Sequence, residues 1–241
     1  MIKFFRKIRQ KLLSENKFSR YLIYAIGEIV LVVVGILIAL AINNWNINNA
    51  NKKEEIYYLQ KLKLNLQQDT THVRTKLRLI YRDLSMLDSL EIEIKNPLKT
   101  SFSNRLYTTT LLLQYGFSPQ TSTFDNLKST GKLNLINNQI LVDSLFVYYN
   151  DLENSTKQKI ESMETYGRNS IGPYLMKFDE IAFHEYLTGT PRKSPNAYGN
   201  DVFIMNAINL KRWNTHGLRE DYEMVYQRAV SLIEMIGITD D

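Results

Sequence analysis

The sequence predicts an all-α protein, with one N-terminal transmembrane helix followed by an extracytoplasmic helical bundle with long antiparallel helices. Three observations carry that expectation. Residues 21–42 are an apolar run broken by one charge, Glu28. Residues 53–95 repeat apolar side chains at heptad spacing, with no glycine or proline between Gly35 and Pro97. No stretch shows the strict alternation of a half-buried strand.

A chain of 241 residues that is 44% apolar has enough material for a packed core. The absence of cysteine excludes disulfides and thiolate metal sites. Positive charge is concentrated at one end. Lys3, Arg6, Lys7, Arg9, Lys11, Lys17 and Arg20 face a single acid, Glu15, whereas bases and acids balance from position 43 onward. A nucleic-acid partner is therefore not expected, since no net positive field extends over the part that folds.

The chain divides into a basic cytoplasmic segment (1–20), a transmembrane helix (21–42), an Asn-rich linker (43–52) and an extracytoplasmic all-helical domain (53–241). At about 1.5 Å per residue, the apolar run matches the roughly 30 Å hydrocarbon core of a bilayer. The excess of Lys and Arg ahead of the run predicts a cytoplasmic N-terminus and a periplasmic C-terminal domain on a single-pass chain of the inner membrane. Phe4, Phe5, Ile8, Leu12 and Leu13 give the leader an amphipathic pattern suited to the inner leaflet. Trp45 marks the outer interface. Glu28, Val32, Gly35 and Ala39 share one helical face, where small residues let a second helix approach and the acid find a hydrogen-bond partner.

The opening Met1-Ile-Lys-Phe-Phe-Arg-Lys-Ile-Arg, the run Tyr24-Ala-Ile-Gly-Glu28 through Gly35 to Leu40, and Ile42-Asn-Asn-Trp45-Asn46 resemble a family of uncharacterised single-span membrane proteins of flavobacteria and other Bacteroidota, a domain of unknown function. Leu127-Lys-Ser-Thr-Gly131-Lys-Leu-Asn-Leu-Ile136 and Tyr148-Tyr149 are similar to the middle section of that family. The resemblance implies inner-membrane anchorage in a Gram-negative cell and carries over no activity and no catalytic residue.

Six of the nine positions from 43 to 51 are asparagine, a poor helix former, so a joint is expected there, with a continuous helix as the alternative. With Ile56 at heptad position a, the d positions are Leu59, Leu66, Val73, Ile80, Leu87 and Ile94, all apolar. The a positions are apolar only half the time. This is half a coiled coil, and Leu62 and Leu90 widen the stripe toward burial inside one domain. Pro97 ends the helix. A short helix is expected over 104–114, capped by Ser103, then a turn at Gly116 and Pro119, and a helix over 120–130 closed by Gly131 with positive φ. Asn137 or Asn138 caps a second long helix to Tyr166, carrying Leu141, Leu145, Tyr148, Leu152 and Met163 on one side. Gly167, Gly172 and Pro173 should break it. A weak helix over 174–187 and a loop over 188–200 follow. A helix from Asn200 or Asp201 to Trp213, a turn at Thr215, His216 and Gly217, and a last helix over 218–236 ended by Gly237 complete the chain.

The residues offer little chemistry. Glu180 and His184 have a ligand spacing, and His72 follows Asp69 by three, yet neither has a second histidine nearby. His216 and Asp221 belong to no Gly-x-Ser-x-Gly or His-Glu-x-x-His motif, and Gly189-Thr-Pro-Arg192-Lys193 lacks the glycines of a phosphate loop. Tyr107, Tyr115, Phe117, Phe124, Tyr148 and Tyr149 suit a helical core or a pocket. The expectation is thus a non-enzymatic envelope protein without cofactor or metal. Its partners are the lipid bilayer and either a second copy, as a homo-oligomer, or a membrane protein partner. The alternative is a periplasmic ligand-sensing module acting through a second membrane protein.

Overall fold

The computed structural model describes residues 18–95, 109–151, 156–177 and 202–239, and among these every regular element is helical. Two compact units divide the chain, residues 1–55 and residues 56–241.

Helix α1, Phe18–Lys95, runs for 78 residues and enters both units. The Asn-rich stretch 43–52, expected as a linker, is part of this helix. Asparagine lowers helix propensity by only a fraction of a kcal/mol per residue, about 0.7 at most. With no Gly or Pro to stop propagation, helix seeded on either side continues through it. In the first unit α1 is the described element, and none of its side chains placed between residues 22 and 42 is buried.

Among its described residues the second unit contains the rest of α1 and five further α-helices. These are α2, Ser122–Ser129; α3, Gln139–Asp151; α4, Lys157–Tyr166; α5, Gly172–Lys177; and α6, Val202–Thr239. Of the helix expected over 104–114, the described residues 109–114 hold only a 3-10 turn, Thr109–Leu111, and 112–114 are not helical; Ser103 and Tyr107 lie outside the described residues, as do Pro97, Leu152, the Glu180–His184 pair and the loop 188–200. Gly131 follows the C-cap of α2 with φ 70°, where a side chain would crowd the backbone. Asn138 caps α3, its Oδ1 accepting from the Leu141 N–H at 3.1 Å.

Two expected breaks are absent. Gly167–Ile171 form a π-helical turn that leads straight into α5. Pro173 thus stands inside a continuous helical run, directly after the wider turn, where its missing N–H leaves a helical carbonyl without its usual donor. Likewise, Thr215, His216 and Gly217 lie inside α6, and Gly237 does not end it. Gly217 faces α4, where an added Cβ would stand 3.7 Å from Lys159 Nζ. Lys159 in turn pairs with Asp221 one turn further on, at 2.6 Å. Tertiary contact thus offsets the roughly 1 kcal/mol that a helical glycine costs.

Two apolar clusters stabilise this unit. The larger joins the α1 side chains between 59 and 80 to Phe124, Leu141, Leu145, Tyr148, Tyr222 and their neighbours. The smaller joins Leu87, Leu90 and Ile94 to Leu111, Ile171, Leu175 and the start of α6. Burial of each such side chain contributes about 1.5–3 kcal/mol.

Candidate functional site

Glu28, Val32, Gly35 and Ala39 follow one another at helical spacing on α1. Glu28 is half-buried, the other three are exposed, and a Cβ on Gly35 would meet nothing within 4 Å. Trp45 is exposed too. In the second unit, Leu59, Leu66, Val73, Ile80, Leu87 and Ile94 are all buried. The a positions beside them are only half-buried, and the second buried row lies instead at heptad position g. That row contains Leu62 and Leu90, and between them Asp69 and Asp83, each wholly inaccessible to solvent.

A buried carboxylate is tolerable only with hydrogen-bond donors or a counter-charge. Each acid finds one of its donors on the same segment, residues 113–120, which has no regular secondary structure. Asp69 Oδ1 accepts the Gln120 backbone N–H at 2.9 Å, and its Oδ2 accepts the Tyr148 hydroxyl at 3.0 Å. Asp83 Oδ1 accepts the Tyr115 hydroxyl at 3.2 Å. Asp83 Oδ2 faces the buried Lys211 ammonium at 3.4 Å without a hydrogen bond of its own, so that attraction is coulombic. Lys211 donates to the Leu113 carbonyl. The Tyr222 hydroxyl donates to the Tyr115 carbonyl at 2.7 Å, and that of Tyr149 to the Gln120 carbonyl at 3.3 Å. The segment is therefore a strap fastened at both ends, running opposite to α1.

Burial sets the electrostatics. It pushes both aspartates above the ordinary carboxylate range, an effect reduced at Asp69 by the Gln120 N–H and the Tyr148 hydroxyl, and at Asp83 by Lys211. It pushes the Lys211 ammonium down against the opposing pull of Asp83, and the Tyr148 hydroxyl up.

The middle of the strap, Gly116 to Pro119, forms one wall of an open cleft of about 980 Å³. Phe124, Phe146 and Tyr149 line it, with Phe124 stacked on Tyr149 at 4.7 Å and edge-on to Phe146 at 5.1 Å. Asp125, Lys128, Lys157, Glu161 and Glu164 add charge of both signs. Of the aromatic cluster expected from the sequence, Phe117, Phe124 and Tyr149 reach this cleft, while Tyr115 and Tyr148 serve the two acids.

A family model described as a family of unknown function, DUF6090, matches residues 28–166, more than half of the chain. The chain belongs to that family. The DUF6090 region contains both buried acids, the strap and the cleft, whereas Lys211 and Tyr222 on α6 lie beyond it. Neither the curated proteins nor the solved structures gave a match.

Sequence reasoning named Asp69 only as a neighbour of His72 and did not name Asp83 or Lys211. A signal for the acids existed. Positions 62, 69, 76, 83 and 90 are a heptad row whose ends are leucine, which places the acids between them on the buried face. Lys211 carried no such signal. His72 is exposed, His216 is half-exposed within α6, and among the described residues no group of three metal-ligating side chains occurs.

Proposed function

We propose that this protein is a non-enzymatic envelope protein anchored by α1, which crosses the inner membrane of a Gram-negative cell once with its N-terminus cytoplasmic. The observation that carries this reading is the contrast along α1. Residues 22–42 are long and apolar enough to cross a membrane and are not buried against protein, while the six d positions from 59 to 94 are all buried. Lipid is the solvent suited to the first stretch. The periplasmic domain is, in this reading, a bundle in which α1 and α6 run antiparallel. The contacts Arg74–Tyr226, Tyr81–Glu223 and Arg212–Asp88 support it, since partner numbers fall on one helix as they rise on the other. Its role is to bind a partner protein or a second copy.

The test uses the absence of cysteine. Ser14→Cys and Ser118→Cys, made singly, are treated with a membrane-impermeant maleimide in spheroplasts. Labelling at position 118 alone is expected; labelling at 14 alone would reverse the topology, and labelling at both would remove the span.

The cleft favours a second reading, a ligand-sensing module acting through another membrane protein. Its volume lies within the usual range for small-molecule sites, and its wall is the strap that is fastened to α1. Purification in mild detergent separates the two: a stoichiometric protein partner supports the first, and a retained small molecule the second.

A further inference from the structure

The buried d and g positions of α1 alternate three and four residues apart from Leu59 to Ile94, the spacing of a coiled-coil seam. Only Asp69, Lys76 and Asp83 interrupt its apolar character, all at g. Such a seam is suited to zip against the same helix of a second copy. In a parallel in-register pair, however, each aspartate would meet its own duplicate across the seam. Two carboxylates would then be desolvated side by side without a donor. Within its own chain each acid is supplied: Asp69 by Gln120 and Tyr148, Asp83 by Tyr115 and Lys211.

We propose that Asp69 and Asp83 are partner locks, which commit the seam of α1 to the strap, α3 and α6 of the same chain and bar it from pairing with α1 of a second copy. Apolar side chains at both positions would leave the seam with a choice; the aspartates remove it. Lys76, the remaining polar member, would also face its duplicate, but it is half-buried and its long stem lets the ammonium reach solvent, so its penalty is the smaller one. Any self-association of this protein then uses a surface other than the d and g rows.

The test places a reporter in the full-length, cysteine-free chain in detergent micelles. Val73→Cys sits in the seam between the two acids, and Thr71→Cys lies on the exposed side of the same helix. Under mild oxidation neither reporter alone should give a covalent dimer. Adding Asp69→Leu with Asp83→Leu should raise the dimer at position 73 at least fivefold and leave position 71 unchanged. A dimer at 73 in the parent chain, or equal cross-linking at 73 and 71 in the leucine background, would overturn the proposal. Tyr115→Phe with Tyr148→Phe supplies a second arm, loosening the strap while keeping both acids. It should leave position 73 monomeric; a dimer there would mean that coverage by the strap, and not the acids, bars the pairing.

Discussion

Asp69 and Asp83 stand two heptads apart on the same buried row of α1, and one extended strap supplies a hydrogen bond to each, Gln120 N–H to the first and the Tyr115 hydroxyl to the second. Fixing an irregular segment against a helix requires that its backbone groups find partners, because burial without them costs about 1–3 kcal/mol per group. Tyr222 and Tyr149 satisfy the Tyr115 and Gln120 carbonyls at the same two points. The strap is thereby held at its ends, and its middle is left facing the cleft.

Asp83 and Lys211 should behave as a coupled pair. Asp83→Asn leaves a buried ammonium without its counter-charge, and Lys211→Met leaves a buried carboxylate; each should lower stability by about 3–5 kcal/mol. The double variant should be markedly less destabilised than the sum of the two. Chemical denaturation followed by circular dichroism measures all three, and additive losses would show that the charges do not interact.

For Asp69 the sign of the pH effect follows from burial. Its folded-state pKa is raised above the ordinary carboxylate value, so the folded chain binds this proton more tightly than the unfolded one. The group therefore costs stability at neutral pH, and that cost is relieved as pH falls through the raised value. Asp69→Asn, neutral at all pH, should be within about 1 kcal/mol of the parent or more stable at pH 7, and the difference should shift toward the parent on acidification. Asp69→Ala should lose about 2–4 kcal/mol, because it orphans the Gln120 N–H and the Tyr148 hydroxyl. Melting curves at several pH values check both.

Two glycines should respond in opposite directions. Gly131→Ala forces a side chain into φ 70° and should destabilise by about 1 kcal/mol or more. Gly217→Ala adds helix propensity inside α6, where its Cβ meets Lys159 Nζ at an ordinary contact distance, and should stabilise by about 0.5–1 kcal/mol. A fall in melting temperature for the second would mean that the Lys159–Asp221 pair is displaced.

At Glu28, glutamine keeps a hydrogen-bond donor of nearly the same shape, and leucine removes it. Glu28→Gln should preserve helix association in a bilayer, and Glu28→Leu should weaken it by about 0.5–2 kcal/mol. Equal association of the two variants, measured by energy transfer between labelled copies, would remove Glu28 from the contact.

The helical character of the chain was legible because its strongest signal is periodic: six apolar d positions in α1 and the αL glycine after α2 are local features of sequence. What was not legible depends on partners distant in the chain. Gly217 looks like a turn until Lys159 is set against it, and the leucine-ended row that places Asp83 on the buried face says nothing of Lys211 and Tyr115, which arrive from positions far along the sequence. The asparagines before the second unit misled differently. Their low propensity is real, but propensity only biases a segment, and helix on both sides of it removes the nucleation cost.

The π turn Gly167–Ile171 sets the phase of α5. Met163, Gly167, Ile171 and Leu175 are all buried and stand four residues apart. On a regular α-helix three such steps drift by about 120° around the axis, enough to carry the last residue off the face of the first. A wider turn in the middle takes up most of that drift, so one straight row of side chains stays against its neighbours. Removing a single residue from the turn would do more than shorten the helix. It would swing Leu175 out of the smaller cluster and bring Met176, now exposed, toward its place.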